Sequence, residues 1–99
     1  MFRSGRRHDG DYVELLSMPA QRAPGRAGFV ITRKSLPRAV DRNRVRRLFR
    51  EALRAARPAV ETYDVILRLK RGCPRALFGR VAAEAGRLLG SLAAEAPAR

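Results

Sequence analysis

Hydrophobic positions along this chain follow two periods. Between Tyr12 and Met18, Val13 and Leu15 alternate with Tyr12, Glu14 and Leu16, the spacing of a strand, and Pro19 stops the run. Ala20 to Arg26 contains the Pro and Gly of a turn, and Gly28 to Thr32 is a second run, rich in β-branched and aromatic residues. Two strands joined by a short loop predict an antiparallel hairpin. From Val40 to Ala56 the period changes. Val45, Leu48, Phe49, Ala52, Leu53 and Ala56 fall at the i, i+3, i+4, i+7 spacing of a helix, with Leu48 at the centre of the stripe. Asp41 sits in the first turn or at the cap, where free N–H groups favour a carboxylate, and Pro58 closes the helix. Tyr63 to Lys70 alternates again and predicts a third strand, bounded by Gly72 and Pro74. Ala76 to Ala94 predicts a second helix with Leu77, Val81, Leu88 and Leu92 on one stripe. Gly79, Gly86 and Gly90 each weaken it by up to ~1 kcal/mol, enough to bend or divide it. The tail from Ala93 to Arg99 is expected to fray. The order β-β-α-β-α predicts an α/β sandwich: one domain over residues 1–99, with a single mainly antiparallel sheet covered by helices.

Charge adds a partner to this picture. The 99 residues carry 22 Lys and Arg against 9 Asp and Glu, a formal net charge of +13. That surplus repels itself in a compact chain and calls for a polyanion, usually nucleic acid. All but Lys34 and Lys70 of these cations are arginines. A guanidinium grips phosphate bidentately and stacks on bases, although a GC-rich genome also writes Arg where Lys would serve. Cys73 is the only cysteine and His8 the only histidine, which excludes an internal disulfide and a zinc site built from the usual ligands. Cys73 reads as a small buried hydrophobe near a strand end. No apolar stretch is long enough to span a membrane, and the first eight residues lack a secretory apolar run, so a cytoplasmic setting is expected.

The charge is patterned. Taking Asn43 as the origin and about 100° per residue, Arg46, Arg47, Arg50, Arg54 and Arg57 share one stripe opposite the apolar one, flanked by Arg42 and Arg44. Arg33 to Arg57 holds ten basic and two acidic residues, a balance of +8. Glu51, the one acid among the arginines of the stripe, can pair with Arg47 or Arg54. A solvated face normally mixes signs; this one does not, and phosphates would neutralise it. The stripe lacks the mixed Asn, Gln and Ser chemistry of a base-reading DNA helix. The nine acids are scattered singly, which argues against two-metal chemistry, and His8 has no evident partner as a general base.

Gly28-Phe29-Val30-Ile31-Thr32-Arg33-Lys34, followed by Ala39-Val40-Asp41-Arg42-Asn43-Arg44-Val45-Arg46-Arg47-Leu48-Phe49-Arg50-Glu51, closely resembles the signature of the bacterial ribonuclease P protein family. In that family a glycine-led strand ends in two basic residues and leads into an Arg-Asn-Arg helix. Phe2-Arg3-Ser4-Gly5-Arg6-Arg7 is similar to its entry into the first strand, and Tyr63-Asp64-Val65-Ile66 to a later strand. The likeness runs in order from Phe2 to about Leu92. It departs at Arg33 to Arg38, one residue longer than the family's turn and without its glycine. The family also has a basic segment and a short helix upstream of the point where this sequence starts.

The resemblance implies a protein subunit that binds ribonuclease P RNA, expected 1:1, and the 5′ leader of precursor tRNA. The RNA would hydrolyse the phosphodiester with Mg²⁺ held largely by RNA; no catalytic residue, metal or cofactor is implied on the protein itself, and no membrane. By position, Arg42, Asn43, Arg44 and Arg47 are implied to contact the RNA subunit. Phe2, Thr32, Arg33, Lys34, Arg46 and Arg50 are implied to contact the leader, with Phe2 either stacking on a base or packing under the sheet. A left-handed βαβ crossover around the Arg-Asn-Arg helix is implied as well, against the usual preference. The alternative is a basic structural RNA-binding protein, like a ribosomal protein, without a processing role.

Overall fold

The computed structural model describes residues 5–22 and 24–95. Four strands, β1 (Arg6–Asp9), β2 (Val13–Pro19), β3 (Ala27–Val30) and β4 (Tyr63–Leu69), form one sheet in the order β1-β2-β4-β3. Two helices, α1 (Ala39–Ala56) and α2 (Phe78–Glu95), pack on it. The α/β class and the mainly antiparallel sheet match the sequence reading. The element order gains a strand, β1, which pairs antiparallel to β2 from Arg6 opposite Ser17 to Asp9 opposite Glu14.

The predicted hairpin does not form. β2 and β3 are separated by β4, which runs antiparallel to β2 and parallel to β3. β3, α1 and β4 therefore make a βαβ unit. It puts β3 at the sheet's edge, with α1 leading from there back to the middle. Val13, Leu15, Val65, Leu67 and Leu69 bury one face of the sheet; Val45, Phe49 and Leu53 of α1 and Val81, Leu88, Leu89 and Leu92 of α2 close over it. β3 is shorter than expected, ending at Val30, because Thr32 turns the chain. Its Oγ1 accepts the Ser35 N–H at 3.1 Å and its carbonyl accepts the Leu36 N–H at 3.0 Å, burying Leu36.

Leu48 is not the centre of the buried stripe. It is half-buried, beside Ala52 and Ala56 in a groove between α1 and α2, while Phe49 is fully enclosed. The second helix is neither bent apart nor divided. Gly79, Gly86 and Gly90 lie on its exposed side within one continuous element. A 3-10 turn at Arg75–Leu77 precedes it, and another at Ala59–Thr62 precedes β4. The expected fraying does not begin at Ala93: the helix runs through Glu95, whose carboxylate pairs with Arg6 and whose carbonyl accepts from Tyr63 Oη at 3.4 Å. Residues 96–99 lie outside the described residues.

One carboxylate ties α2 to the sheet. Glu84 Oε1 accepts the N–H groups of both Tyr12 and Val13 at 2.6 Å, where the chain turns from β1 into β2. Gly10 keeps this approach open, since a Cβ there would collide with the Glu84 carboxyl group. A charged acceptor holding two backbone donors contributes about 1.5–3 kcal/mol per bond, and removing it leaves both donors without a partner. Glu84→Ala is therefore expected to destabilise the fold by about 2–4 kcal/mol in urea titration. A midpoint unchanged within error would show that water replaces the carboxylate at no cost.

Candidate nucleic-acid interface

The arginine stripe emerges on the exposed side of α1. Val45, Phe49 and Leu53 point into the core, so the opposite side, with Asn43, Arg47, Arg50 and Arg54, faces solvent, and Arg46 is half-buried beside it. Helix spacing alone dictates this: the two stripes differ by half a turn. Glu51 pairs with neither Arg47 nor Arg54 but lines the groove toward α2. Asp41 is taken by Arg75, whose Nε lies 2.8 Å from Oδ1. Among the described residues, the stripe's only acidic partner within 4 Å is Glu61, at 3.6 Å from Arg57.

The arginines at the start of α1 are not equivalent. Arg42 Nη1 donates to the carbonyls of Leu36 and Pro37 at 2.8 and 2.9 Å, clamping the Arg33–Ser35 turn onto the helix. The Arg44 guanidinium stands 5.9 Å from the Phe78 ring centroid, a cation–π contact that links α1 to α2. Arg46 Nη1 donates to Asn43 Oδ1 at 3.2 Å, leaving its other N–H groups free. Among the described residues, Arg47 and Arg50 make no side-chain bond to a neighbour, and both are exposed. Thr32, Arg33 and Lys34 are exposed in the turn held by Arg42, so the structure brings them to the N-terminal end of the stripe. Phe2 lies outside the described residues.

Sequence reasoning missed two sets of residues. Arg54 and Arg57 belong to the stripe, yet the resemblance implies no role for them. With Arg50 and Phe29 they line a groove beside β3, and the i, i+4, i+7 spacing was the available signal. On the sheet face away from the helices, buried Glu14 holds Arg7 Nε at 2.5 Å and Arg68 Nη1 at 3.4 Å across three strands. Glu14 pushes the Arg7 guanidinium further up, first through this hydrogen bond and then through charge attraction, with Asp9 adding to it. Only the sheet register could have revealed this trio. Partial burial pushes the Cys73 thiol up. Among the described residues no three His, Cys, Asp or Glu side chains gather as a metal site, and no helix is long and apolar enough to cross a membrane.

The family described as Ribonuclease P matches residues 1–93. The chain belongs to the Ribonuclease P family. Among curated proteins it is similar to the ribonuclease P protein component of Ectopseudomonas mendocina, 33% identical over 91% of this chain and 67% of that one. It is 40% identical to that of Chromohalobacter salexigens over 64% of this chain and 49% of that one. Against the Chromohalobacter and Idiomarina loihiensis relatives, the match spans about half the relative's length, 49% in each. In fold it is similar to the RNase P protein of Thermotoga maritima, with a TM-score of 0.68 at 23% identity, covering 91% of this chain and 86% of that one. The RNase P protein of Staphylococcus aureus superposes with a TM-score of 0.67 at 15% identity, over 92% and 80%.

Proposed function

We propose that this chain acts as the protein subunit of ribonuclease P, binding the catalytic RNA and the single-stranded 5′ leader of precursor tRNA. The observation that carries the proposal is the family match over nearly the whole chain, together with an exposed row of arginines whose only acidic partner among the described residues is Glu61. Arg44 and Arg47, with Arg42 and Asn43, face the RNA subunit; Arg46 and Arg50, with Thr32, Arg33 and Lys34, face the leader. Arg42 acts partly by shaping the turn that presents Arg33 and Lys34. Each contact neutralises a phosphate and releases counterions, so affinity falls steeply with salt. Hydrolysis belongs to the RNA, with Mg²⁺ bound there supplying the activated water and charge stabilisation. The protein improves substrate affinity and lowers the Mg²⁺ the RNA requires.

The test is reconstitution with a bacterial ribonuclease P RNA and a precursor tRNA at low Mg²⁺. The expected result is stimulated cleavage at the mature 5′ end and no cleavage by the protein alone. RNA binding without stimulation at any Mg²⁺ concentration would favour the structural RNA-binding reading instead. Metal-dependent cleavage by RNA-free protein would overturn both.

A further inference from the structure

A groove of about 440 Å³ runs between the outer edge of β3 and the C-terminal half of α1, lined by Ala27, Phe29, Arg50, Leu53, Arg54 and Arg57. Its volume is that of a site for a small organic group. Its base is apolar. Phe29 is half-buried, tilted 53° against Phe49 with ring centroids 5.9 Å apart, and its remaining surface lines the groove. One wall is cationic: Arg50, Arg54 and Arg57 lie within a sector of about 60° on the helix. Arg57 has only a loose pairing with Glu61 at 3.6 Å, and both are substantially solvated. Among the described residues, Arg50 and Arg54 have no acidic partner within 4 Å. The other wall is β3, whose outer backbone groups pair with no strand among the described residues.

An aromatic side chain beneath a row of guanidiniums is the chemistry that holds an unpaired nucleotide. The ring takes a base face, and the arginines fork onto the flanking phosphates. A duplex cannot use the groove in this way, because its bases are stacked inside the helix and out of reach of Phe29. Resting on the function proposed above, we propose that this groove is a second single-strand subsite for the 5′ leader. It continues the track from Arg46 and Arg50 along the edge of β3, with a leader base on Phe29 and phosphates on Arg54 and Arg57. Arg50, shared by both stretches, makes them continuous.

Two variants of the protein, each assembled with the RNA subunit, test this subsite. Arg54→Gln with Arg57→Gln removes two charges at exposed positions, and Phe29→Leu keeps an apolar floor but removes the aromatic face. Affinity for precursor tRNA and for mature tRNA is measured at several salt concentrations, together with assembly on the RNA subunit. The double variant is expected to bind precursor more weakly, with a salt slope shallower by about 1.4, the value for two single-strand phosphate contacts. Phe29→Leu is expected to weaken precursor binding by roughly 5- to 150-fold, the range for losing one stacked base. Mature tRNA and assembly should be unaffected. Equal losses on mature tRNA, a loss confined to assembly, or unchanged precursor binding would each overturn the subsite. Should Phe29→Leu fail to fold, the arginine pair decides alone. A wild-type holoenzyme without any preference for the leader would overturn the proposed function itself. A wild-type preference kept intact by the variants would overturn only the groove.

Discussion

Phe49→Ala is expected to cost about 3–5 kcal/mol of folding free energy, the range for removing an aromatic ring from an enclosed core. Phe49 is fully buried at the point where α1 meets the sheet and carries an aromatic contact with Phe29. Truncation removes that contact and leaves a cavity that two packed layers can close only in part. A domain of this size has a total margin of about 5–15 kcal/mol, and its net charge of +13 already opposes compaction. The variant should therefore lose a large share of that margin and begin to unfold at a markedly lower temperature in low salt. Added phosphate or RNA should restore part of the structure by neutralising charge and binding the native state. Leu48→Ala should cost less, because its half-buried side chain faces the groove toward α2. Urea titrations of the two variants check the ranking. Equal losses would mean that α1 rests on α2 as firmly as on the sheet.

That contrast shows what the sequence could carry. The periods of α1 and β4 are strong and local, and their expected bounds, Val40–Ala56 and Tyr63–Lys70, differ from the observed ones by one residue. The orientation of α1 was legible too, since six apolar positions oppose five arginines. Which apolar position lies deepest was not legible. α1 touches the sheet on one side and α2 on the other, and a stripe wide enough for both has no unique centre. β1 escaped notice because Arg6, Arg7, His8 and Asp9 show no apolar alternation; they are extended because β2 offers them an edge. The predicted hairpin failed for a related reason. Short-range rules pair consecutive strands, whereas β4, arriving only after α1, fits between β2 and β3 and buries Val65, Leu67 and Leu69. The site was read through α1 and the turn before it, where spacing fixes a shared face. Arg7, Glu14 and Arg68 come from three strands, and no spacing in the chain announces that they meet.

The arginines of α1 are expected to separate into binding and building roles when removed. Among the described residues, the one side-chain bond of Arg46, Arg47 and Arg50 is that of Arg46 to Asn43, so their joint replacement by alanine should leave stability within about 0.5 kcal/mol. Its effect should appear in RNA binding. Three lost phosphate contacts lower the slope of log K against log salt by roughly 2 to 3, which amounts to about a hundred-fold or more in affinity near 0.1 M salt. Wild type and variant should converge as salt approaches ~1 M, where counterion release no longer favours binding. Arg42→Ala should behave differently. It loses the two bonds to Leu36 and Pro37, frees the turn that carries Arg33 and Lys34, and so costs about 1–2 kcal/mol of stability in addition to affinity. Thermal melts and salt-series titrations on both variants check the division. A gap between wild type and the triple variant that stays constant with salt would contradict the phosphate assignment. It would mean that these arginines read bases or shape the helix. A triple variant that melts as early as Arg42→Ala would mean that the exposed row supports the fold as well as binding RNA.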